Sequence, residues 1–186
     1  MVMVEQDEAE LVHKGIAGDK LAFAKLVMRY RSFVIGLAYR LCGDPPLAED
    51  IAQDVFVRAW QALPGFRQQA AFRTWLYRIA SNVAIEQLRH ARPTVDIDDT
   101  ALTTQDTPEN QVLCAEQCHV VRQAVLRLPL QSRLALILRE YEGLSYQEIA
   151  SALDVPMGTV MSRLNYARQR LGQELAQYIR SSAAEE

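Results

Sequence analysis

Residues 144–171 read LSYQEIASALDVPMGTVMSRLNYARQRL, and the pattern is that of two short helices joined by a tight turn. Ser145 and Glu148 have the spacing of a capping box, in which the hydroxyl accepts from the backbone N–H three residues on and the carboxylate reaches back to the cap. Ile149, Ala150 and Leu153 then fall on one helical face. Asp154-Val155-Pro156 interrupts, because proline disfavours helix in the residue before it and is itself tolerated in a first helical turn. The second helix places Val160, Leu164, Ala167 and Leu171 inward. Thr159, Met161, Ser162, Arg163, Asn165, Tyr166 and Arg168 form the outer face. These are donors and short polar groups suited to base edges and phosphates, with no carboxylate among them. The layout is that of a helix-turn-helix whose second helix enters a major groove.

Outward from this motif the chain reads as helical throughout, with no stretch alternating as a half-buried strand would. Upstream, Leu130–Glu142 offers Leu134, Ile137, Leu138 and Tyr141 as buried positions, and Gly143 is a helix stop. Pro129 separates it from a helix reaching back to Thr107-Pro108. Residues 94–106 are polar, acidic and aperiodic, as in a linker. Before them a bundle is expected, with helices near Asp7–Ala17, Asp19–Cys42, Pro46–Ala62 and Ala71–Arg92. The second of these has Asp19 as N-cap and a stripe of Phe23, Leu26, Val27, Tyr30, Phe33, Val34, Leu37 and Leu41. The fold class is all-α: an N-terminal bundle over 1–93, an acidic linker over 94–106 and a helix-turn-helix domain over 107–186.

The chain has 186 residues and a formal net charge of −3, which is unpromising for a nucleic-acid binder until it is divided along the sequence. Residues 20–93 carry net +6 and residues 119–172 net +3, and residues 94–118 between them carry net −6. Two basic modules on an acidic connector fit two nucleic-acid-facing surfaces. No apolar run is of membrane-spanning length and no signal-peptide layout opens the chain, so a cytoplasmic protein without membrane insertion is expected. The three cysteines, Cys42, Cys114 and Cys118, do not make a disulfide framework. With His119, Cys114 and Cys118 form an incomplete zinc set. No metal or other cofactor is expected.

Two stretches of the bundle carry chemistry. Residues 48–60, AEDIAQDVFVRAW, put Ile51, Val55 and Ala59 on a packed stripe and Glu49, Asp50, Gln53 and Asp54 on another face. That face suits a basic partner surface; a carboxylate metal site is the alternative, though the Glu-x-x-His motifs of di-metal bundles are absent. Residues 66–92, FRQQAAFRTWLYRIASNVAIEQLRHAR, mix Arg67, Phe72, Arg73, Trp75, Tyr77, Arg78, Asn82, Arg89 and Arg92. Cations that track phosphates beside rings that stack on unpaired bases are the means of single-strand binding. Trp75 and Tyr77 lie two apart and cannot share a helical face, so at most one need be core.

These motifs, in this order, resemble the extracytoplasmic-function sigma factors, two-domain initiation subunits of bacterial RNA polymerase. AEDIAQDVFVRAW resembles the segment that grips the clamp helices of the polymerase largest subunit. FRTWLYRIASNVAI is similar to the segment that melts and reads the minus-ten element. Residues 128–171 resemble the minus-thirty-five domain. The resemblance implies a non-enzymatic factor that lends promoter specificity and strand opening to core polymerase, for stress or envelope-response genes. Asp50, Gln53, Asp54 and Phe56 would contact polymerase. Arg67, Phe72, Arg73, Trp75, Tyr77, Arg78 and Asn82 would face the opened minus-ten strand. Thr159, Met161, Ser162, Arg163, Asn165, Tyr166 and Arg168 would sit over minus-thirty-five duplex. The family often has a base where Met161 stands, and the 67–72 loop lacks its usual glycine and serine. With no extra domain after Leu171, control is expected from a separate anti-sigma or other regulatory protein.

Overall fold

The computed structural model describes residues 2–90 and 118–182. Every regular element among them is helical: α1 (Val2–Ile16), α2 (Lys20–Cys42), α3 (Pro45–Ala62), a 3-10 turn (Leu63–Gly65), α4 (Phe72–His90), α5 (118–126), α6 (Leu130–Glu140), α7 (Tyr146–Leu153) and α8 (Met157–Ser182). None is long and apolar enough to cross a membrane. The expected linker, Cys114, and the expected helix start at Thr107-Pro108 lie outside the described residues.

The ends of the helices follow from local chemistry. Asp19 accepts from the N–H groups of Leu21 and Ala22 at 2.8 and 3.1 Å, satisfying donors that the first turn of α2 leaves open. Gly43 ends that helix at φ 76°, its N–H on the Tyr39 carbonyl at 2.8 Å. A Cβ here would also stand 2.8 Å from Leu126 Cδ1, so glycine serves both the left-handed turn and the close approach of α5. Asp44 caps α3 ahead of Pro45 and Pro46. The expected capping box forms: Ser145 Oγ accepts from Glu148 N–H at 3.2 Å, and Glu148 Oε2 accepts from Ser145 N–H at 2.8 Å.

The first domain packs α2 against α3 and α4, with Leu26, Val34, Leu37, Leu41, Ile51, Val55, Leu76 and Val83 at its centre. The stripe expected on α2 needs one correction. Phe33 is 47% exposed, and the smaller Ala22 and Ala38 are buried instead. The second domain closes around Leu134, Ile137, Leu138, Ile149, Val160, Leu164 and Ala167. Here α6 stops at Glu140, two residues early. Tyr141, expected inside, is 50% exposed beneath the Arg40 guanidinium, and Glu142 is the buried residue.

The two domains touch. Helix α7 lies against α4, and α6 against the end of α2. At the second junction Arg133 donates to the Leu41 carbonyl in the last turn of α2, and also to the carbonyls of Leu126 and Leu128. One guanidinium thus satisfies carbonyls that two helix ends leave open, although burial lowers its pKa.

Candidate nucleic-acid interface

Helix α4 carries the first candidate surface. Phe72 is not on it: the ring is buried, 5.5 Å from Tyr30, 6.0 Å from Phe66 and 5.4 Å from Trp75 between centroids. That cluster is the lid of the first domain's core, and offset and tilted ring pairs of this kind are favourable beyond their burial. Trp75, one turn on, is half-buried and lies 4.8 Å from Phe66. It faces an open cavity of about 430 Å³ lined by Gly65, Phe66, Arg67, Gln69, Ala70, Thr74, Trp75, Arg78 and Ser151. The fold therefore gathers Arg67, Trp75 and Arg78 around one hollow. The loop that forms its rim turns at Gln68, φ 54°, a left-handed conformation taken without glycine.

Tyr77 is placed differently from the expectation that it would face open strand. It is 2% exposed. Its phenol donates to the Glu142 carboxylate of the second domain, and burial together with that carboxylate pushes its pKa up to about 12. Arg73 donates to the Glu142 carbonyl and lies 3.9 Å from its carboxylate. Arg78 pairs with Asp154 at 3.1 Å. Asn82 is exposed, at a second hollow shared with Ile85, Glu86, Arg89 and Gln131.

The second surface is the outer face of α8. Met161, Ser162, Asn165 and Tyr166 are exposed, and Thr159 is half-buried. Arg163 does not project freely: it is half-buried, and its Nη1 is enclosed without a hydrogen-bond partner. Arg168 is held by Glu140 at 2.7 Å. On α3, Asp50 and Gln53 are exposed, Asp54 is half-buried and Phe56 packs against the core. Glu49 pairs with Arg31 at 3.8 Å. No group of three or more histidine, cysteine or carboxylate side chains among the described residues could hold a metal.

Phe66, Thr74, Ser151 and Glu142 were not singled out from the sequence. For Phe66 the signal was available, an aromatic nine residues before Trp75 across a loop. For Ser151 and Glu142 there was none, since both reach α4 only through tertiary packing.

Residues 26–94 match the model of Sigma-70 region 2, and residues 118–171 match that of Sigma-70 region 4. Over 98% of the chain and the whole of the relative, it is 40% identical to RNA polymerase sigma-H factor of Pseudomonas aeruginosa. The chain is a sigma factor of the sigma-70 family, ECF type.

Further relatives include the ECF RNA polymerase sigma-E factor of Escherichia coli K12, 39% identical over 91% of the chain and 95% of the relative. Among solved structures, CnrH in complex with the cytosolic domain of CnrY matches with a TM-score of 0.71 and 26% identity, over 92% of this sigma factor and 98% of that chain. The sigma factor RpoE of Bartonella quintana, solved with the anti-sigma factor NepR, shares the fold with a TM-score of 0.66 and 24% identity, over 83% and 96%. This sigma factor is not an enzyme but directs RNA polymerase to promoters.

Proposed function

We propose that the surfaces divide promoter recognition as follows. The hollow around Trp75, with Arg67, Arg78 and the 66–71 loop, captures an unpaired base of the minus-ten strand. The exposed face of α8, through Asn165, Tyr166, Ser162 and Met161, reads minus-thirty-five duplex. The acidic face of α3, through Asp50, Gln53 and Asp54, docks on the clamp helices of the polymerase largest subunit. A separate anti-sigma or other regulatory protein controls the factor in the cytoplasm, and stress or envelope-response genes are its targets.

The observation that supports this best is the association of an indole with two guanidinium groups around one open hollow. A stacking ring beside phosphate-tracking cations is suited to single-stranded DNA. Reconstitution tests the whole assignment. Purified protein added to bacterial core polymerase should form a stable complex and give discrete run-off transcripts from promoters of its own genome. Diffuse initiation, or none, would contradict it.

A further inference from the structure

The second helix of the helix-turn-helix opens with an apolar edge that packing does not use. Met157 and Met161 are 47% and 50% exposed, although both side chains are large and apolar. They stand four residues apart at the start of α8, so one side chain lies above the other on the helix surface. Apolar residues exposed singly are ordinary, whereas an adjoining pair on a polar face is a patch. The patch is open on its flank, where a Cβ added to Gly158 would meet nothing within 4 Å.

What this edge lacks narrows what it can read. Residues 157–170 contain no carboxylate to repel a phosphate backbone. The Ser162 hydroxyl, exposed beside Met161, donates to the Thr159 carbonyl at 2.9 Å. The Arg163 guanidinium is half-buried, with Nη1 enclosed. Met157, Gly158, Met161 and Ser162 thus present no uncommitted side-chain donor to the O6 and N7 acceptors of a guanine edge. They present two unbranched, polarisable thioether chains that can fit an irregular apolar surface. The apolar group on a major-groove base edge is the C5-methyl of thymine. In a helix-turn-helix it is the N-terminal residues of the second helix that reach base edges.

We propose that Met157 and Met161 are specificity residues that read thymine methyl groups in the minus-thirty-five duplex. This rests on the reading of α8 as the duplex-facing helix and assigns the chemistry by which its first two turns select sequence. Four residues of helix rise about 6 Å, close to two base-pair steps of about 3.4 Å each. The two methyls therefore belong to thymines one or two steps apart. The element is then A·T-rich where it meets the start of α8, and Asn165, exposed one turn further on, supplies hydrogen bonding.

The test uses holoenzyme reconstituted from the full chain and bacterial core polymerase. A duplex library randomised across the minus-thirty-five region is selected for binding. In the preferred duplex each thymine is replaced in turn by deoxyuridine, which removes the methyl and keeps every hydrogen-bonding group. Burial of one methyl predicts binding about fourfold weaker at one or two such positions. Met157→Ala and Met161→Ala should each abolish the penalty at one position, and Met161→Leu should keep most of it, with helicity, melting and core binding as in the native chain. A preferred duplex that tolerates deoxyuridine throughout, or a penalty that survives both alanine variants, overturns the methyl reading and leaves α8 on duplex. Selection that yields no preferred sequence overturns the underlying reading of α8 as well. Loss of core binding in the alanine variants would assign the patch to a protein contact and overturn the proposal.

Discussion

The Asp54 carboxylate accepts a 2.7 Å hydrogen bond from Gln87 Nε2, tying the acidic face of α3 to α4. That face is therefore of two kinds: Asp54 is partly structural, whereas Asp50 and Gln53 stand free in solvent. Asp50→Arg should lose core polymerase with no change in melting temperature. Reversing a charge at a complementary contact costs several kcal/mol, or about 100-fold or more in affinity. Asp54→Arg should lose both binding and some stability, because Gln87 is left without its acceptor. Co-purification with core and thermal melting of both variants check this; wild-type yield with Asp50→Arg would mean the face is merely solvated.

Recognition of duplex is best probed at Asn165, exposed on α8 beside residues whose opposite face is packed. Asn165→Ala should leave the fold unchanged. If the amide reads a base edge, preference at one promoter position relaxes, costing about 1–3 kcal/mol; if it meets phosphate, all sequences weaken alike. Unaltered affinity and specificity in a footprinting series would count against this docking of α8. Arg163 is a poorer probe, since removing a half-buried side chain also disturbs packing.

The capping box makes the second domain sensitive to acid. Hydrogen bonds from the Ser145 hydroxyl and N–H hold the Glu148 carboxyl below its ordinary pKa. A carboxylate depressed in the folded state stabilises above its unfolded pKa, near 4.3, and that contribution disappears as pH falls through the lower folded value. The gap in melting temperature between the native chain and Glu148→Gln should thus be present at pH 7 and shrink on going below about pH 4. Ser145→Ala should cost about 1 kcal/mol at neutral pH. A gap that stays constant with pH would show that the ionised carboxylate is not what the cap uses.

The all-helical fold and the helix-turn-helix were legible because their signals are local. Asp19, the Ser145–Glu148 pair, Pro129 and Gly143 each act within a few residues of themselves. Errors arose where a distant neighbour decides. Phe33 and Tyr141 satisfy a helical stripe as well as Ala38 or Leu138 do, and only the packing of the adjoining helices leaves them outside. Tyr77 and Glu142 are 65 residues apart, and neither residue's surroundings in sequence point to the other. Trp75 and Tyr77 were correctly separated by helical geometry, but which of them is buried depended on the second domain.

Strand opening by α4 is the central claim, and Trp75 tests it most directly. A base leaving the duplex gives up stacking of about 1.4 kcal/mol per step, and an aromatic platform returns about 1–3 kcal/mol per captured base. The two nearly balance, so loss of the indole should favour closed duplex. The measurement is run-off transcription by core polymerase with Trp75→Ala, on a duplex promoter and on the same template mismatched across the minus-ten element. The account predicts failure on the duplex and substantial recovery on the mismatched template, with helicity and core binding retained. Equal activity on the duplex, or equal failure on both templates, would contradict it. A fall in melting temperature accounting for the whole loss would assign Trp75, like Phe72, to the core.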